Sequence, residues 1–182
     1  MVRRGLAVLA VLATLMLFTA VSASAASPHF KKGGTPTCTI TGSGSSQTVV
    51  CGAALAGLGN GDLTVNVTVE GFAVYQCQNK GGNIAPGQNK VLVGPQTVPT
   101  TIPTAQVKNG TVKFTTDPNT LTAAPTVSGA EAGCANPNWT GVNPTLTITG
   151  ISMTIAQAGN TLFTCASASD PDGLSGRVAL SC

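Results

Sequence analysis

Apolar and polar residues alternate one by one along several stretches of this chain, a period of two that predicts strands. Leu63-Thr-Val-Asn-Val-Thr-Val69 is the cleanest run: Leu63, Val65, Val67 and Val69 fall on one face, Thr64, Asn66 and Thr68 on the other. Upstream, Thr37–Thr41 and Gln47–Cys51 flank Gly42-Ser-Gly-Ser-Ser46, which predicts a β-hairpin. With its turn centred on Gly44 and Ser45, Cys38 and Cys51 face each other. Ala53–Gly61 reads as a connection anchored by Leu55 and Leu58, with room for one helical turn. Glu70-Gly71 then interrupts the pattern. Phe72–Cys77 leads into Tyr75–Lys90, YQCQNKGGNIAPGQNK, a long polar excursion expected at the rim of a sheet and tied at its root by Cys77.

Val91–Val93 resumes the alternation, and Val98–Thr104 carries Pro99 and Pro103, which suits an edge strand. Asn109-Gly110 predicts a two-residue turn joining Ala105–Lys108 to Thr111–Thr115 as a second hairpin. Residues 117–144 read as loops, because Pro118, Pro125, Pro137 and Pro144 disfavour helix. Thr145–Ile155 alternates again, with Gly150 as a candidate bulge. Thr161–Cys165 and Gly176–Cys182 finish the sheet, joined through Asp170-Pro-Asp-Gly173. The expectation is an all-β protein, an immunoglobulin-like antiparallel β-sandwich formed as one domain by residues 37–182. Trp139 follows Cys134 by five residues instead of standing between two spaced cysteines, so the expectation covers the architecture and not the immunoglobulin family.

The N-terminus sets the compartment. Arg3 and Arg4 precede an apolar run from Leu6 to Val21, and Ala23-Ser24-Ala25 fits a small-x-small cleavage site. Residues 1–25 are therefore expected to be a signal peptide. Residues 26–36, ASPHFKKGGTP, read as a flexible leader or a late-ordering edge. The mature protein is expected to be extracellular and free of the membrane. All six cysteines lie beyond the cleavage site, and an even number in an exported chain predicts three disulfides. The first hairpin pairs Cys38 with Cys51, closing a loop for which chain entropy gives about 3 kcal/mol. Cys165 and Cys182 sit on the last two predicted strands, which leaves Cys77 for Cys134.

Charge and chemistry narrow the functions. Only 8% of residues are charged, and along the sequence they are scattered, so nucleic acid is not an expected partner. There is one histidine, His29, and no CxxC pair, so neither a zinc site nor a nucleophilic triad is expected. Paired carboxylates for glycoside hydrolysis would have to come from Asp62, Glu70, Asp117, Glu131, Asp170 and Asp172, with Glu70 and Glu131 the pair to watch. Asp170-Pro-Asp172-Gly173 lacks the further oxygen ligands of a calcium loop and reads as a turn. No cofactor is expected and no enzyme activity. What remains is a candidate binding loop: Tyr75, Gln76, Asn79, Lys80, Asn83, Asn89 and Lys90, with Asn136 and Trp139 from a second loop joined to it by Cys77–Cys134. Amide-rich loops with one or two aromatics suit sugars or proteins, leaving a protein or a cell-wall polymer as the open partner classes. The first function expected is a structural or binding module. The rival is a secreted protease inhibitor that presents the braced loop, with Lys80 or Lys90 as the cut site.

One motif carries a resemblance. Val74-Tyr75-x-Cys77-x-Asn79-x-Gly81-Gly82, continuing to Asn89-Lys90, together with the Ala26–Phe30 start, resembles an uncharacterised family of small secreted proteins from actinobacteria. Cys134 ahead of Asn136 fits the same pattern. The resemblance implies the compartment and the class of the protein and carries no activity with it. Cys38, Cys51, Cys165 and Cys182 stand outside the shared pattern.

Overall fold

Residues 27–182 are described by this computed structural model, and the expected signal peptide lies outside them. They form β1 (His29–Phe30), β2 (Thr37–Ser43), β3 (Ser46–Ala56), β4 (Leu63–Gln78), β5 (Ile84–Ile102), β6 (Val112–Thr115), β7 (Asn119–Thr122), β8 (Val127–Ser128), β9 (Thr140–Gln157), β10 (Asn160–Ala166) and β11 (Arg177–Ala179). The sole helical element among them is the 3-10 turn Thr104–Gln106.

Two antiparallel sheets result. In the first, β3 is central: β2 and β1 lie along one side, β6 and β7 along the other, and β11 flanks β2. In the second the order is β10-β9-β4-β5, with β8 on β9. The inward residues of β4, Leu63, Val65, Val67 and Val69, are all buried, as the alternation requires, and share one core with Ile151, Met153 and Ile155 of β9 and with Val49, Leu55 and Phe114 across the interface. Burying each such side chain contributes about 1.5–3 kcal/mol, more than any single surface polar contact offers. Asn119 closes the seam between sheets: wholly buried on β7, it donates through Nδ2 to the carbonyls of Val67 (2.9 Å) and Gln96 (3.0 Å) in the other sheet.

The first hairpin forms in the expected register, with Cys38 opposite Cys51. All three disulfides are the expected ones, 38–51, 77–134 and 165–182. They fit an oxidising, extracellular environment, and no helix among the described residues is long and apolar enough to cross a membrane.

Several local expectations are corrected. Residues 53–56 are not a connection but the end of β3, where Ala53 and Leu55 point inward against Phe114 and Val112. Asn109 (φ 50°) and Gly110 (φ 69°) make the expected turn, yet only the bridge Lys108–Thr111 closes it, because β6 pairs with β3 instead of its sequence neighbour. Two short strands, β7 and β8, lie within the stretch expected as loops. β11 pairs with β2 and not with β10, and Cys182 lies beyond it, where Ser181 bridges Ala166, so Cys165–Cys182 fastens the end of the chain to β10. Of the two readings of the leader, its described part takes the edge: His29–Phe30 pairs with β3, and Phe30 packs on Phe163 with ring centroids 4.4 Å apart. Glu70-Gly71 does not end a strand. It is a register shift inside β4, opposite the expected irregularity at Gly150 of β9.

Candidate functional site

The polar excursion is much shorter than its sequence implies. Ile84–Lys90 is the start of β5, an edge strand that holds Pro86, Pro95 and Pro99 where a missing N–H is tolerated. The true loop is the turn Asn79–Asn83. Asn79 N donates to Asn83 O (3.1 Å) and Gly82 N to Asn79 O (3.0 Å), while Asn79 Oδ1 accepts from the backbone N–H of Gly81 (2.9 Å) and Asn83 (3.0 Å).

A second segment, 123–139, closes over this end of the sheet. Ala123 and Ala132 join Ala73, Tyr75 and Cys77 in a small separate core, with Val127, Cys134 and Trp139 packed against it. Cys77–Cys134 pins the two layers, their Cα atoms 5.7 Å apart. Tyr75 is buried and donates from its hydroxyl to Ala124 O (2.9 Å). Burial, with the Glu131 carboxylate as a lesser cause, pushes its phenol above the ordinary tyrosine value. Asn89 Nδ2 donates to the carbonyls of Ala130 and Glu131, and the backbone N–H groups of Gln88 and Asn89 donate to Ala132 O. Gly133 sits there at φ 69°, where a Cβ would come within 2.7 Å of the Asn89 amide, so both the backbone conformation and the space call for glycine.

The expected site residues therefore divide. Asn79, Lys80, Asn136 and Trp139 come together, with Gly81 and Asn138, around an open cleft of about 390 Å³. Tyr75 and Asn89 are bracing residues. Gln76 lies on the far side of the strand, where its Oε1 accepts from Asn143 Nδ2 (2.9 Å). Asn83 contributes its backbone N–H to the turn. Lys90 is drawn away onto the outer face of the sheet, 4.2 Å above the Phe72 ring, and donates to Pro171 O. Asn138, part of the expected second loop but not among its named site residues, also lines the cleft, held by a turn in which Asn136 Oδ1 accepts from Asn138 N (2.9 Å).

The chemistry of the cleft follows from what the turns consume. The side-chain carbonyls of Asn79 and Asn136 are engaged with backbone N–H groups. Their NH₂ groups and the Lys80 ammonium are donors, and Trp139, half-buried, supplies an apolar plane. The cleft is thus rich in donors beside one aromatic face.

Other candidate chemistry is dispersed. Glu70 shares a cleft with Phe72, Lys90 and Asp170, not with Glu131, which stands in the 123–139 segment. Asp170 Oδ1 accepts from Asp172 N (2.9 Å), which makes the Asp-Pro-Asp-Gly sequence a turn, as expected. His29 Nδ1 lies 2.8 Å from Ser27 O. The scatter of charge along the sequence does not survive folding: Lys31, Lys32, Lys108 and Lys113 line one cleft on the first sheet. Comparison with protein-family models, with curated proteins and with solved structures finds no match.

Proposed function

We propose that the chain is an exported, non-catalytic binding module, a disulfide-stabilised sandwich of immunoglobulin-like shape that takes a cell-wall glycan at the Trp139 cleft. The observation that carries this reading is the convergence of Trp139, Asn79, Lys80, Asn136 and Asn138 on one open cleft at the end fastened by Cys77–Cys134. Sugars present hydroxyl and ring oxygens to donors and C–H faces to an aromatic plane, which matches a cleft of this make-up. The resemblance to small secreted actinobacterial proteins agrees with export. The residues of the shared motif, Cys77, Asn79, Gly81 and Gly82, are those that fold the turn. The inhibitor reading draws less support, since a substrate-like segment has to be extended with its side chain free for the protease pocket, whereas Lys80 lies in a closed turn and the Lys90 side chain is held over Phe72 and on Pro171 O.

The test is co-sedimentation of the mature protein with purified cell-wall polymer, wild type against Trp139→Ala and Asn138→Ala. Retention of wild type and at least about tenfold weaker retention of Trp139→Ala, the order of one stacking contact, is the expected result. Equal retention of all three proteins, or of none, refutes the reading, as would turnover of the polymer.

A further inference from the structure

The lysine cleft is a separate feature of the molecule. Ala54 of β3 and Lys113 of β6 are register partners, and because their neighbours Ala53, Leu55, Val112 and Phe114 are buried, both point outward. On the other side of Ala54 the chain turns through Lys31–Gly34. Lys31 N donates to Ala54 O, Ala54 N to Gly34 O, and Gly34 packs so closely that a Cβ would lie 2.8 Å from that of Ala54. The Asn109-Gly110 turn, closed by Lys108 N to Thr111 O (2.8 Å) and Thr111 N to Lys108 O (2.9 Å), sets Lys108 beside them. The result is a cleft of about 460 Å³ with small residues, Gly33, Gly34 and Ala54, between four exposed lysines.

Nine basic residues occur in the whole chain, and Arg3 and Arg4 lie outside the described residues, so four of the remaining seven meet here. No carboxylate and no aromatic lines the cleft. Gathering like charges opposes folding, and packing does not require it, since all four side chains are exposed. An anionic ligand accounts for the arrangement. Lysine binds phosphate as a point charge, whereas planar, two-pronged recognition of carboxylate is the work of arginine, and there is no arginine here. Without an aromatic there is no platform for bases.

We propose that this cleft is a second binding site, which takes a ligand carrying two or more phosphate groups, of the polyphosphate or base-free phosphodiester-polymer class. It lies beside the loop that enters β4, where Leu58 N donates to Gly110 O, while the Trp139 cleft lies where β4 ends. The sixteen residues of β4 between them span on the order of 50 Å, so one polymer chain can engage both ends of the protein.

Calorimetric titration with tripolyphosphate at low salt tests the site. Wild type binds; K31Q/K32Q and K108Q/K113Q each weaken binding at least about tenfold and flatten its salt dependence. K90Q/R177Q, which removes the same charge elsewhere, changes it less than about twofold. All three variants replace exposed side chains, and thermal melts confirm that they fold. Absence of wild-type binding, or equal weakening by K90Q/R177Q, overturns the site. Equal binding of polygalacturonate matched in charge overturns the phosphate assignment, and tighter binding of duplex DNA overturns the ligand class. Trp139→Ala retains tripolyphosphate binding, so this site and the Trp139 cleft fail separately.

Discussion

The two halves of β4 are built by different means. From Leu63 to Val69 the strand is covered by the first sheet, and its inward side chains are large aliphatics in a core shared by both sheets. Past the register shift at Glu70-Gly71 the opposing sheet runs out. The tip of the β2–β3 hairpin reaches only to Leu146, whose N–H donates to Gly44 O (2.7 Å), and Leu146 is the register partner of Ala73. From there to Gln78 the cover is the 123–139 segment, and the inward residues are Ala73, Tyr75 and Cys77 against Ala123 and Ala132. Alanines bury little area, so apolar transfer contributes far less here than four aliphatics do in the first half. A disulfide, a buried tyrosine with its hydrogen bond, and the Asn89 amide take over. A sheet extends past its partner only where such bracing replaces apolar area, and the candidate site stands on the braced half.

Two substitutions should separate the halves. Val67→Asp places a carboxylate at a wholly buried position between two sheets. The expected loss exceeds about 4 kcal/mol, with no cooperative unfolding transition left in urea. A folded variant with an ordinary melt would mean that the first half is not the shared core. Replacing Cys77 and Cys134 together by Ala removes a cross-link over a sequence separation of 57 residues, for which chain entropy gives about 4 kcal/mol as an upper figure. Here the expected result is local: hydrogen exchange accelerates in 75–90 and 123–139, while the amides of Leu63–Val69 keep their protection. Uniform loss of protection along β4 would show that the halves are one unit.

The difference between the halves also explains what could be read from the sequence. Strict alternation at Leu63–Val69 and the symmetric spacing of Cys38 and Cys51 about a Gly-Ser turn are local signals, and local signals fixed those strands, their inward faces and the first disulfide. Pairing between distant strands leaves no such trace. Nothing near Asn109-Gly110 announces that Val112–Thr115 will pair with β3, or that β11 will join β2 and not β10. The polar stretch Ile84–Lys90 reads as loop because an edge strand on a braced rim needs no alternation. Within the candidate site, Asn79, Lys80, Asn136 and Trp139 were legible as chemistry. That Lys90 would swing onto Phe72, and that four lysines more than eighty positions apart in sequence at their extremes would meet at Ala54, depended on the sheet topology alone.

Tyr75 offers the finest test of the braced half. Tyr75→Phe keeps the ring and removes the hydroxyl that donates to Ala124 O, at an expected cost of about 1 kcal/mol, toward the lower end because Ala124 is exposed and its carbonyl can turn to water. The tyrosine also carries a pH signature. Its folded pKa is raised, chiefly by burial, so the unfolded chain loses the proton first as the solution becomes alkaline. The stability tied to the neutral phenol is therefore complete below the unfolded value, about 10, and is lost as pH climbs through the higher folded value. Since Tyr75 is the chain's single tyrosine, absorbance of the tyrosinate follows it alone. Titration should give a pKa above that of free tyrosine, and the stability difference between wild type and Tyr75→Phe should shrink with rising pH. An ordinary pKa with a pH-independent difference would place the ring in solvent and remove the floor from under the Trp139 cleft.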